Sequence, residues 1–333
     1  MRSLPVSRGA GGCRGRVVLL LTLMLLLPFG SVINALQLRG RRLSTIKETR
    51  DASGAVESFQ FLTSDAALAL EISRGQLLND TELDLSRNRF AQVPASLFQS
   101  MPNVKRVVLS KNPIRSFESG SFVGLEMLEE IIIESSKLAS FPTKFIQNCP
   151  LLRAVHINAS FVRSIPSGAI ANLPLLEIMD LSHNNVTELF DDSFFDLPSI
   201  HTLDLSFNNL STVPSGVFRV SPAWRRLDFS RNNISKAPSG LKDAIVSGWV
   251  SFERNVWVEI DAMEFGGASQ IRELILRSMG IFTVNSKAFY GMTALEKLDL
   301  GDNVISVLAE DALAGLPNLK QLSLRENNIR SAK

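Results

Sequence analysis

The chain has 333 residues, 45% of them apolar, and a formal net charge of +2. Residues 1–35 hold Arg2, Arg8, Arg14 and Arg16 and no acid, so the remainder carries 31 basic against 33 acidic side chains, which excludes a general nucleic-acid binder. There are two cysteines, Cys13 near the start and Cys149 alone, so an intrachain disulfide framework is excluded once the leader is removed.

In chain order, residues 17–29 (VVLLLTLMLLLPF) are an uncharged apolar run behind an Arg-rich start, and Ile33 and Ala35 stand at −3 and −1 to a cleavage point after residue 35. This predicts a secretory signal peptide over 1–35. The alternative is a signal anchor, because residues 17–36 are twenty uncharged residues, long enough to span a bilayer. Arg39, Arg41 and Arg42 balance the arginines upstream, so flanking charge does not choose between the two. Residues 36–54 are polar and basic and read as a flexible tail, with Arg39-Gly40-Arg41-Arg42 suited to a dibasic processing protease. Cleavage there would leave 28 basic against 33 acidic side chains. Val56, Phe59 and Phe61 have the spacing of a unit one period before the first full repeat, so residues 55–79 read as a degenerate N-terminal cap.

From residue 80 one phrase recurs. Asparagines 88, 112, 184, 208, 232, 255, 303 and 327 are spaced by multiples of 24 residues, with one interval a residue short. Around them stand Leu203-x-Leu205-x-x-Asn208-x-Leu210, Leu298-x-Leu300-x-x-Asn303-x-Ile305 and Leu322-x-Leu324-x-x-Asn327-x-Ile329. A period of 20–29 with this wording is the leucine-rich-repeat signature. Counting the first Leu of the motif as position 1, eleven repeats begin at Asp80, Val104, Leu128, Leu152, Leu176, Ile200, Trp224, Ser247, Ile271, Leu295 and Leu319, the last stopping at Lys333. Apolar residues at positions 4 and 6 with polar ones between predict a short strand with one buried face. Position 19 (Phe98, Phe122, Ile146, Ile170, Phe194, Phe218, Phe265, Phe289, Leu313) predicts a buried spine, interrupted by Lys242. Prolines at positions 15 and 23 keep long helices off that side.

The Asn at position 9 has donors and an acceptor to bridge backbone groups where each strand turns. Ser136 and Ser160 replace part of this and Met279 none, so local loosening is expected at the ninth repeat. Cys149 falls in an apolar slot and is expected to be a buried small hydrophobe rather than a catalytic thiol.

Residues 80–333 resemble the typical 24-residue extracellular leucine-rich repeat of Toll-like receptor ectodomains, Slit-type guidance proteins and small leucine-rich proteoglycans. The resemblance implies an α/β solenoid, right-handed and horseshoe-shaped, with a concave parallel β-sheet that binds protein or other ligands. Its convex side would be short turns and 3-10 segments. The cysteine-rich flanking caps common in that family and the L-x-G-x-I-P phrase of plant receptor kinases are absent from these residues.

Positions 2, 3, 5, 7 and 8 are expected to form the concave surface. Trp249, at position 3 between Arg226 and Glu273, is the sharpest signal, with Arg225, Arg231, Arg254, Arg272 and Arg277 expected around it. Trp and Arg together are the composition of an interface hot spot, and cation–π contact is available to them. The competing reading has the one-residue slip turn Trp249 into the core. Asp180, Asp204 and Asp228 align at position 5 on neighbouring strands, a row that would favour a cationic ligand, although D-L-S-x-N is also common wording in such repeats. His156, His183 and His201 are too far apart along the strands to share a zinc ion, and no metal or cofactor site is expected. N-x-S/T sequons at Asn79, Asn158, Asn185, Asn209 and Asn233 predict glycosylation, the last three stacked at one edge. No catalytic constellation is present.

These residues point to a secreted or cell-surface, non-enzymatic recognition module that binds a protein or glycan ligand on its concave face and no nucleic acid. Membrane attachment would come only from an uncleaved leader. The open C-terminal end is expected to meet another chain or a missing C-terminal region. The alternatives are a truncated ectodomain of a receptor enzyme such as a kinase, and a structural wall or matrix protein.

Overall fold

The computed structural model describes residues 45–50, 56–62, 81–93, 98 and 103–332. The leader, the Arg39–Arg42 motif and the Asn79 sequon lie outside the described residues.

A three-residue strand with one apolar face cannot bury that face alone, so the repeats stack. Thirteen strands form one sheet. They are β1 (Thr45–Arg50), β2 (Val56–Leu62), β3 (Glu82–Asp84), β4 (Arg106–Val108), β5 (Glu130–Ile132), β6 (Ala154–His156) and β7 (Ile178–Asp180). They continue as β8 (Thr202–Asp204), β9 (Trp224–Asp228), β10 (Val246–Ser251), β11 (Glu273–Ile275), β12 (Lys297–Asp299) and β13 (Gln321–Ser323). β1 pairs antiparallel with β2, and the strands from β2 onward run parallel. The partner of each residue lies 24 positions on, as in Thr202↔Arg226, except that Arg226 faces Trp249. The architecture is the parallel-sheet solenoid that the repeat pattern predicts.

β1 lies inside residues 36–54, the stretch read as a flexible tail. TIKETR has no apolar alternation to mark a strand. Its pairing uses backbone groups, which cover the edge that β2 would otherwise expose. β2 joins the sheet one period ahead of β3 through Gln60↔Asp84, where a cap repeat would sit.

The inward residues at positions 4 and 6, from Leu83 and Leu85 through Leu298 and Leu300, form one continuous core. On the convex side the position-19 side chains from Phe98 to Phe289 are buried, with the Phe98 and Phe122 rings stacked at 4.9 Å and Phe265 and Phe289 at 5.7 Å. Short helical turns on the convex side include the α-turn Ser215–Arg219 and the 3-10 turn Ser239–Asp243. Lys242 is exposed as expected, and its neighbour Leu241 turns inward instead.

The asparagines form a ladder. Asn208 Nδ2 donates to the carbonyls of Leu181 (3.0 Å), Leu205 (3.0 Å) and Ser206 (3.2 Å), and its Oδ1 accepts the Val186 N–H at 2.9 Å. Ser136 and Ser160 substitute with a hydroxyl pair at 2.8 Å. At Met279 the ladder loses its amide, but Asn303 Oδ1 reaches back to accept the N–H groups of Met279 (2.9 Å) and Ile281 (3.2 Å). Strand pairing through β10, β11 and β12 is unbroken.

Candidate ligand-binding face

At ~4.8 Å between strands, the eleven repeat strands present a ribbed face of roughly 50 Å. Its centre is irregular. Trp224 and Arg226 of β9 face Val246 and Trp249 of β10, so two residues, Ser247 and Gly248, stand opposite Arg225 alone. This β-bulge absorbs the short interval in the asparagine spacing. It also moves the start of the eighth repeat: Val246 is the buried residue, and Ser247, expected at position 1, is exposed. Only glycine fits at 248, because a Cβ there would lie 1.9 Å from the Arg225 carbonyl oxygen.

The bulge keeps Trp249 on the sheet surface. Val246 and Val250 take the buried places, and Trp249 is half-buried between Arg226 and Glu273. The Arg226 guanidinium lies 4.8 Å from the indole centroid, within cation–π range. The same guanidinium stands 3.4 Å from Asp204 Oδ2 and 3.5 Å from Asp228 Oδ2, so the carboxylate row holds it over the ring. Glu273 faces the other way, 3.6 Å from Lys297.

The expected arginine ring is not assembled around Trp249. Arg231 and Arg254 are at position 8, five residues along at ~3.3 Å each, or about 16 Å away. Position 8 is not part of a strand but a left-handed turn, with φ 54° at Arg231 and 56° at Arg254. Arg231 stacks on Phe207 at 4.4 Å, Arg254 is 3.7 Å from Glu253, and Arg277 donates to Asp302, its Nε at 2.7 Å. Arg225 and Arg272 remain near the indole, on either side of Gly248.

Asp180, Asp204 and Asp228 pair in register as expected. Each Oδ1 accepts the N–H two residues on, at 2.9, 2.9 and 3.0 Å, and Asp84 and Asp299 make the same turn at 2.8 Å. That shared bond is a structural reason for the repeated wording. The free oxygens differ. Burial pushes the Asp180 carboxyl up, but His156, Ser182 and Asn158 outweigh it and hold it well below the usual carboxylate range. Burial raises the Asp204 carboxyl. His156 is raised by Asp180, 3.8 Å away, and lies 3.8 Å from Glu130. His183 and His201 are elsewhere, stacked on Phe207 at 3.9 Å and 3.9 Å from Glu177. Among the described residues no group of three His, Cys, Asp or Glu side chains is placed to hold a metal ion.

Asn185, Asn209 and Asn233 are exposed on successive turns. Asn158 sits apart, half-buried, donating from Nδ2 to Asp180 Oδ2 at 2.7 Å. Cys149 is buried, its thiol pushed up to about 11 by burial and directed at the Phe122 carbonyl at 3.3 Å. One group was missed from sequence: His183, Phe207 and Arg231 form an exposed planar stack. The signal available was three flat side chains at position 8 of consecutive repeats.

The leucine rich repeat family matches residues 81–138, 150–210 and 269–329, more than half of the chain. The chain belongs to the leucine-rich-repeat family. No curated protein matches its sequence significantly. Among solved structures, this leucine-rich-repeat chain is similar to Toll from a Drosophila Toll–Spatzle complex (21% identity, TM-score 0.66, covering 79% of this chain and 36% of Toll). It is similar to TLR13 from a TLR13–ssRNA13 complex (23% identity, TM-score 0.67, covering 78% of this chain and 38% of TLR13). The LRIM1 leucine-rich-repeat domain is also similar (18%, TM-score 0.55, 85% of this chain and 78% of that one). The chain thus spans little more than a third of the Toll and TLR13 chains, and at these identities the likeness is one of fold.

Proposed function

We propose that the protein is an extracellular recognition module that binds a protein ligand on its concave sheet, with Trp249 as the anchor. What carries the reading is the half-buried indole on the open face, held under Arg226 by the Asp204 and Asp228 carboxylates. A large flat side chain that is already immobilised loses little entropy on binding. Trp and Arg paired in this way are the residues most often found at the energetic centre of an interface. The apolar leader and the exposed sequons at Asn185, Asn209 and Asn233 support passage through the secretory route.

The test is affinity capture with the full chain and its Trp249→Ala variant. Partners recovered by the first are expected to be lost by the second, with a drop in affinity of at least about thirtyfold, the ~2 kcal/mol scale of a hot spot. Equal recovery would remove Trp249 as the anchor.

A further inference from the structure

One row of the concave face carries a charge pattern with a gap in it. At position 2 the successive turns present Lys105, Glu129, Arg153, Glu177, His201, Arg225, Gly248, Arg272, Glu296 and Lys320. Neighbours of opposite sign pair along the stack: Lys105 with Glu129 at 2.8 Å, Arg153 with Glu177 at 2.6 Å and Lys320 with Glu296 at 2.9 Å. Between the like charges of Arg225 and Arg272 there is no acid, and the bulge places Ser247 and Gly248 there instead. No side chain can be added at Gly248, since a Cβ would meet the Arg225 carbonyl oxygen. Both arginines are exposed, and Arg225 makes no ion pair among the described residues. Arg272 acts only at a distance on Glu296, which Lys320 already pairs.

We propose that this notch, Arg225 and Arg272 flanking Gly248 beside Trp249, receives a single carboxylate from an acidic side chain of a peptide segment in the partner protein. The inference rests on the concave face being the binding face. The two arginines stand two strands apart, ~10 Å between backbones, so their forks can close on one carboxylate from opposite sides. The indole one residue along favours an apolar or aromatic residue next to that acid. A polyanion such as a sulfated glycan fits less well. It would run onto Glu177 and Glu296 along the same row, and onto Asp204, Asp228 and Glu273 beside it.

The test selects a random peptide library on the immobilised full chain, with counter-selection on Trp249→Ala. Enriched peptides are then compared with their Glu→Gln or Asp→Asn counterparts and with a heparin fragment. The expected result is an acidic residue next to an apolar one, and at least about tenfold weaker binding by the amide counterparts. In the double variant Arg225→Gln/Arg272→Gln this acid preference is expected to vanish, whereas Lys105→Gln, in the same row but far from the notch, keeps it. Trp249-dependent peptides without an acid, or a preference that survives the double variant, would overturn the notch and leave the concave-face reading standing. Tighter binding of the heparin fragment through the same arginines would overturn its assignment to a peptide. A selection that enriches nothing dependent on Trp249 would sink both.

Discussion

Side chains of the same type take different parts here according to their neighbours. Asp180 and Asp204 are equivalent in sequence, yet only Asp180 has His156 and Asn158 beside its free oxygen, and their carboxyls shift in opposite directions. The consequence for stability has a definite sign. His156, with its folded value raised, contributes stability below its ordinary 6.5 and loses it as pH rises through the raised value. Asp180, with its folded value lowered, contributes above its ordinary 3.8 and loses it as pH falls through the lowered value. The pair therefore stabilises most between 3.8 and 6.5. The stability gap between the chain and His156→Gln, followed by urea unfolding, is expected to shrink as pH is raised beyond that window. A gap constant from acid to alkaline pH would show that the two groups are uncoupled. Such pairings were not legible in the sequence, because the His and the Asp are 24 residues apart and meet across neighbouring strands only through the sheet register. Nor were the left-handed turns at position 8, with φ between 49° and 60° at eleven residues of mixed type from Arg87 to Glu326. Nothing in residues as different as Lys111, Phe207 and Asp302 marks a positive φ. The turn persists at Ser135, Ala159 and Ser278, where Ser136, Ser160 and Met279 replace the asparagine that follows it in the other repeats.

That asparagine dominates at the level of the element. Asn303 alone makes five hydrogen bonds, donating to Leu276, Leu300 and Gly301 carbonyls and accepting from Met279 and Ile281. Asn303→Leu strands several of these buried groups at ~1–3 kcal/mol each, so a loss of at least about 3 kcal/mol is expected in chemical unfolding. Met279→Asn restores the missing rung and is expected to add about 1 kcal/mol. A neutral Asn303→Leu would mean that the backbone satisfies itself without the ladder. The rungs themselves were plain from the spacing. The site of the bulge was not: asparagine spacing counts the missing residue, whereas which backbone carbonyl leaves room only for glycine is decided in three dimensions. The β1 strand escaped notice for a related reason, since its pairing is made by backbone groups that leave no pattern in TIKETR.

The molecule as a whole is close to one-dimensional, each turn touching only the next. Stability in such a stack is lowest where a turn has one neighbour. Leu322 of β13 is 40% exposed, against 2% for its equivalent Leu298 one strand inward. Trp224, Trp249 and Trp257 all lie in the seventh and eighth repeats, so tryptophan fluorescence reports the middle of the stack. In a denaturant titration, circular dichroism is expected to begin its transition before the fluorescence does, as the outer turns fray first. Coincident curves would show that the solenoid unfolds as a single cooperative unit. The overall architecture was legible because a 24-residue period admits few other solutions.

The in-register stacking has a geometric consequence for anything laid across it. Ribs recur every ~4.8 Å, whereas side chains on one face of an extended peptide recur every ~6.7 Å. Two rulers with such different divisions coincide at one mark and then drift apart. An extended partner crossing this surface would thus be matched at a point rather than along a line, and the notch we propose at Gly248 would be that point.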